Sequence, residues 1–63
     1  MLQRGQKITV FQDPLTCKTP EGDARLIQFI EKYHDGLERW QVRFLGEKEK
    51  FERLIDPENV YPA

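Results

Sequence analysis

The sequence predicts an all-β fold, a five-stranded and mostly antiparallel small barrel with one short helical turn. The first observation is the stretch Leu37–Leu45, which alternates between apolar and polar residues from Trp40 to Phe44, the period of a half-buried strand. The second is the turn chemistry at Gly36 and Gly46, which gives this strand a hairpin partner on each side. The third is the length, because 63 residues hold only one core.

The first strand is predicted over Gln6–Gln12, where β-branched and aromatic residues dominate and where Ile8 and Val10 share one face. Asp13-Pro14 ends this strand, because Asp followed by Pro is typical of a type I turn. The stretch Asp13–Gly22 contains two Pro, two Thr and a Gly, so we expect a long exposed loop.

The stretch Asp23–Tyr33 is compatible with two structures. A helix over residues 21–34 would gather its apolar residues into one stripe and would make the fold α+β with a three-stranded sheet. A long bent or bulged strand accounts for the same residues as a two-sided pattern. We predict the strand, because Gly22 would weaken the first turn of the helix and because the link to Leu37 has the length of a hairpin.

The last third of the chain is predicted to contain two further strands. Glu49–Ile55 is predicted to be a strand with Phe51 and Ile55 facing the core. Asp56–Asn59 is predicted to form the short helical turn, with Asp as its cap and Pro at its first position, before a last short strand at Val60-Tyr61. Residues 1–63 are expected to form one domain, of which residues 1–5 are flexible.

Composition and charge narrow the classes of function. The chain has 10 Lys and Arg against 11 Asp and Glu, so it lacks the global basic excess of many nucleic-acid-binding proteins. Cys17 is the only cysteine, which excludes an internal disulfide and a Cys-rich metal site and makes the cytoplasm the expected location. No apolar run approaches a membrane span. No catalytic or phosphate-binding motif occurs, so we expect neither an enzyme nor a cofactor.

The order of elements resembles that of an SH3-like barrel. The segment Ile55–Tyr61 is similar to the apolar-Pro-x-Asn-apolar segment that forms the short helical turn before the final strand in SH3 folds. The chain also resembles short uncharacterised bacterial and phage proteins with an Asp-Pro-Leu-Thr loop and a Trp-x-Val-x-Phe strand. The resemblance to the uncharacterised proteins brings no assigned activity, and the alternatives within the SH3-like fold are Tudor-like modules and modules of translation or transcription factors. The loop Asp13–Gly22 lacks the aromatic residues with which SH3 domains bind proline-rich ligands, so that ligand is not expected.

Candidate binding residues lie on the polar face of the central strand and beside it. Parallel guanidinium groups on a sheet can engage phosphates or carboxylates. The candidates are Arg25, Tyr33, His34, Arg39, Gln41, Arg43, Lys48 and Lys50. The alternative is a solubilising surface, in which the acidic residues Glu47, Glu49 and Glu52 pair with the basic ones across the strands.

The aromatic residues have a structural interpretation. Trp40 shares a face with Val42, so we expect it in the core rather than exposed as a ligand platform. An aromatic cage for a methylated cation would need Phe11, Tyr33 and Tyr61 together, and partial burial at strand ends is the alternative.

These observations predict a non-catalytic module that binds a protein partner. The expected contact regions are the Asp13–Gly22 loop, the turn at His34–Gly36 and the exposed strand face, since loops on a rigid scaffold commonly carry binding. The alternatives are nucleic-acid binding through the face of Arg39 and Arg43, and a structural or self-associating role in a larger assembly.

Overall fold

The computed structural model describes residues 1–63 and contains four β-strands in one antiparallel sheet. The strands are β1 (Lys7–Phe11), β2 (Pro20–Lys32), β3 (Glu38–Phe44) and β4 (Phe51–Ile55). Their order in the sheet is their order in the chain, so each neighbouring pair is joined by a simple connection. The predicted all-β class is confirmed. No helix long and apolar enough to span a membrane is present.

The alternative helix at residues 21–34 is wrong, because β2 runs through this stretch for 13 residues. Its first half pairs with β1 and most of its length pairs with β3, so its backbone donors and acceptors are used on both sides. The register with β3 shifts between Leu26 and Gln28 and again between Phe29 and Glu31. These irregularities bend the strand. They also explain why its apolar residues do not alternate regularly as in an ordinary strand and do not form the single stripe of a helix.

One cluster of apolar side chains forms the core on one face of the sheet. Its members are Leu2, Ile8, Val10, Ala24, Leu26, Trp40, Val42 and Ile55. The predicted core position of Trp40 is confirmed, since its exposed fraction is 4%. Its indole N–H donates to Glu38 Oε1 at 2.9 Å, which satisfies the one polar group that this burial would otherwise leave unpaired.

The first residues of the chain pack against this core. Leu2 is 6% exposed, and the backbone N–H of Gly5 donates to the carbonyl of Leu26 at 2.7 Å. These contacts favour an ordered segment. The predicted flexibility of residues 1–5 is not tested by them and stays a prediction.

The C-terminal segment differs from the predicted helical turn and fifth strand. Asp56–Asn59 is a turn closed by one bond from the Asn59 N–H to the Asp56 carbonyl (3.1 Å), whereas a helical turn requires successive bonds of this kind. After it, Pro62 makes an isolated bridge to Ile8, which is too short to count as a fifth strand. The structure therefore has four strands in an unclosed sheet, with no helix.

Candidate functional site

Arg39 is already paired within the fold. Its Nε donates to the Tyr33 hydroxyl at 2.8 Å, and its guanidinium lies 5.7 Å from the centre of the Tyr33 ring. Glu52 on β4 approaches Arg39 Nη1 to 3.8 Å. The hydrogen bond to Tyr33 is the main reason why the pKa of Arg39 is raised above its ordinary value. The cross-strand pairing that the sequence offered as an alternative is therefore found at this residue.

Arg25 and Arg43 have a different environment. The register places them directly opposite each other on β2 and β3, and it places Lys7 of β1 opposite Arg25 on the other side. None of the three lies within 4.0 Å of a carboxylate, since the salt bridges of the structure involve other cations. Arg25 Nη1 donates instead to the Gly5 carbonyl at 2.8 Å. We call Lys7, Arg25 and Arg43 the basic row.

The remaining predicted residues do not gather into one site. Gln41 lies between Gln28 and Glu52 in the row next to the basic row. Lys48 and Lys50 are exposed in the connection between β3 and β4. His34 is exposed in the turn after β2, and the neighbouring Asp35 carboxylate accepts the Leu37 N–H at 3.1 Å, so this carboxylate stabilises the turn.

The three aromatic residues considered for a cage lie apart. Phe11 packs edge to face on Tyr61, with ring centres 5.0 Å apart, beside the start of β2. Tyr33 follows the other end of β2 and holds Arg39. No aromatic cage is formed. The structure also contains no group of three or more His, Cys, Asp or Glu side chains that could hold a metal ion.

A cleft that the sequence did not indicate lies where the start of β2 meets the β3–β4 hairpin. Its volume is about 560 Å³, within the usual range for ligand sites. It is lined by Glu21, Gly22, Asp23, Phe44, Leu45, Glu47, Phe51 and Arg53. Gly22 permits a close approach here, because a Cβ at this position would lie 3.3 Å from Phe44 Cδ1.

Arg53 organises the cleft. Its guanidinium lies 5.6 Å from the Phe44 ring centre and 5.4 Å from that of Phe51. Glu21 binds it with both carboxylate oxygens, at 2.9 Å from Nε and 2.6 Å from Nη2. This pairing lowers the pKa of Glu21 and raises the pKa of Arg53 relative to their ordinary values. A planar guanidinium is thus fixed by two rings and a bidentate carboxylate.

Two apolar side chains of the cleft remain open to solvent. Leu45 is 51% exposed and Phe51 is 37% exposed. The predicted inward direction of Phe51 is correct, but the core ends before it and leaves its ring at the surface. The alternation pattern of β4 could not show this, because it reports the face of a residue and not the depth of the core beneath it.

Comparison with known proteins identifies no relative: no protein-family model matches the chain, and neither a curated protein nor a solved structure matches it significantly.

Proposed function

We propose that this chain is a small non-catalytic interaction module that binds a protein partner in the cleft. The single observation that carries the proposal is the exposed apolar pair of Leu45 and Phe51 beside a rigid Phe44–Arg53–Glu21 group. Exposed aromatic and aliphatic side chains around a fixed Arg resemble the central part of a protein interface. The ligand is an extended segment of the partner that inserts one apolar side chain.

An SH3-like barrel is the architecture that we propose for this module. The C-terminal residues support it, because they cover the free edge of β1. The Thr9 N–H donates to the Tyr61 carbonyl at 2.8 Å, and the Ala63 N–H donates to the Lys7 carbonyl at 3.3 Å. The order of the four strands and the following turn also agrees with the resemblance that the sequence suggested. A cytoplasmic location is part of the same proposal, and the free thiol of Cys17 is compatible with it.

The negative charge of the cleft lining favours a ligand with basic residues. The cleft is lined by three acidic residues and one basic residue, so it carries an excess of two negative charges. Both oxygens of Glu21 are bound to Arg53 and one oxygen of Asp23 accepts the Thr9 hydroxyl, which leaves Glu47 as the cleft carboxylate without a side-chain partner. A ligand with Lys or Arg next to its apolar side chain is complementary to this lining.

The cleft is preorganised for such a ligand. Glu21 and Arg53 are 32 residues apart in sequence, and their bond ties the start of β2 to β4. The Phe44 and Phe51 rings lie 6.1 Å apart at an angle of 56°. A ligand that contacts groups already held in place loses less entropy on binding.

The experiment is fluorescence polarisation with labelled hexapeptides. The probe is a peptide of alternating Leu and Arg, and the two matched peptides replace Arg by Glu or Leu by Ser. We expect the Leu/Arg peptide to bind most tightly and its affinity to fall as salt is added. Leu45 is 51% exposed, so a ligand can cover about half of this side chain. Leu45→Ser removes that apolar contact with the ligand, and we expect a loss of about 5-fold or more in affinity.

Leu15→Ser is the matched control, because Leu15 is also an exposed leucine (67%) but lies in the loop before β2, outside the cleft. This variant should bind as the wild type does. Equal losses in both variants, or equal binding of all three peptides, would refute the cleft as the binding site.

A further inference from the structure

We propose that the basic row is a second binding site, which holds consecutive phosphates of a nucleic-acid duplex on the sheet face opposite the core. Lys7, Arg25 and Arg43 are cross-strand neighbours, so their side chains leave the same face of three adjacent strands. This site is independent of the proposed peptide cleft and uses other side chains.

The arrangement is unfavourable for the fold by itself. Like charges directly opposite each other in a sheet repel, so both pairs destabilise the fold. The other charged residues of the sheet show how such repulsion is commonly relieved, since Lys32, Arg39 and Arg53 each have an acidic partner. No carboxylate lies within 4.0 Å of the basic row. A bound anion would relieve its repulsion.

The spacing suits a chain of regularly placed anions. Adjacent strands lie about 4.8 Å apart, so three side chains span about 10 Å. A row of this length lies alongside about three nucleotides of a duplex strand, whose rise along the axis is about 3.4 Å each. The long side chains can splay to reach phosphates that lie farther apart than the rise. Two of the three cations are guanidinium groups, whose forked donors match phosphate oxygens. Lys50 directly precedes β4 and would extend the row if the register of β3 and β4 continued by one residue.

The neighbouring side chains favour the phosphate backbone over other ligands. Thr9, Asp23 and Leu45 form the adjacent row on one side, where the Thr9 hydroxyl donates to Asp23 Oδ1 at 2.8 Å and the Leu45 N–H donates to the Asp23 carbonyl at 3.0 Å. Gln28, Gln41 and Glu52 form the row on the other side. These rows contain no aromatic ring on which a base could stack, which disfavours single strands. Their one apolar side chain, Leu45, is too little to insert into a lipid surface. Recognition therefore depends on charge and is independent of base sequence.

The test is fluorescence anisotropy of the wild-type protein with a labelled 16-base-pair DNA duplex of arbitrary sequence. Three phosphate contacts predict a slope of about −2.7 for the logarithm of the affinity against that of the salt concentration. Binding should therefore weaken about 40-fold between 50 and 200 mM NaCl. Arg43→Gln should reduce the slope by about 0.9, and Arg25→Gln with Arg43→Gln should remove most of the binding.

Arg39→Gln is the matched control, because Arg39 lies on the same strand as Arg43 but is held by Tyr33 and Glu52. It should leave the slope unchanged. A larger effect of Arg39→Gln than of Arg43→Gln would overturn the assignment, as would no binding to the duplex at 50 mM NaCl. Equal affinity for a polyglutamate peptide, or for vesicles containing phosphatidylserine, would also overturn it in favour of that ligand. Leu45→Ser should bind the duplex normally, so failure of this site is distinguishable from failure of the cleft.

Discussion

The Glu21–Arg53 pair should contribute measurably to stability although it lies near the surface. Exposed ion pairs contribute about 0.2–1 kcal/mol, and bidentate geometry places a pair at the upper end of that range. The side chains are 27% and 33% exposed, and two oxygens of Glu21 are bonded at 2.9 and 2.6 Å. We therefore expect Glu21→Gln to lower the free energy of unfolding by about 1 kcal/mol. In a domain of this size that corresponds to a fall in Tm of about 4–8 °C.

The matched control is Glu52→Gln, which removes the carboxylate of a looser pair. Glu52 is 59% exposed at its side chain and lies 3.8 Å from Arg39. We expect Glu52→Gln to lower the free energy of unfolding by about 0.3 kcal/mol or less. The measurement is urea unfolding, in which the dependence of this free energy on urea concentration should stay unchanged. A cost of Glu52→Gln equal to that of Glu21→Gln would refute the argument from geometry.

The pH dependence of stability gives the same pair a second readout. The pKa of Glu21 is lowered in the folded protein, so the folded state favours the ionised carboxylate. The resulting stabilisation is complete above the pKa of Glu21 in the unfolded chain, near its ordinary value of 4.5, and is lost as the pH falls through the lower pKa of the folded state. Unfolding of the wild type should therefore become easier below about pH 4.5, and Glu21→Gln should flatten that part of the profile. Parallel profiles for the two proteins would contradict this assignment.

Three further changes test the fold. Leu2→Ala should cost about 2 kcal/mol in urea unfolding, because Leu2 is buried in the core; no loss would mean that the first residues are detached. Deletion of residues 61–63 should abolish hydrogen-exchange protection of the Thr9 amide, which the Tyr61 carbonyl accepts, and retained protection would contradict that bond. Gly22→Ala should cost about 1–2 kcal/mol, since φ is +154° and the new methyl group would press on the Phe44 ring; a neutral result would show that the ring moves away freely.

The sequence predicts β3 well because the middle of one of its faces, at Trp40 and Val42, is buried. Alternation from Trp40 to Phe44 reports this burial directly, and the observed strand Glu38–Phe44 lies within the predicted range. The long strand β2 was less clear, since two register irregularities break its alternation. Gly22 and the short connection to β3 nevertheless predicted a strand rather than a helix here, and this prediction is correct.

The binding surfaces were harder to predict because they depend on register. Arg39 and Arg43 are equivalent in the sequence, two positions on either side of Gln41, but one faces Tyr33 and Glu52 whereas the other faces Arg25. Lys7 was missed, although its outward position next to the buried Ile8 was a usable signal. Only the pairing of three strands shows that Lys7 belongs with the two arginines.

The cleft was missed for a related reason. Its central bond joins residues 32 positions apart, and no local pattern connects Glu21, at the start of β2, with Arg53 in β4. The sequence also could not show that the core ends short of Phe51, because burial at a given position depends on how far the sheet extends over it.

The two proposed sites adjoin each other on β2 and β3. Arg43 belongs to the basic row and Phe44 to the cleft, and consecutive residues of a strand point to opposite faces. Asp23 and Leu45, which also line the cleft, lie two residues from Arg25 and Arg43 and therefore share the face of the basic row. A chain with almost equal numbers of acidic and basic residues thus places an acidic excess at the cleft next to a basic row. Binding at one site should therefore alter affinity at the other through electrostatics, which added salt would suppress.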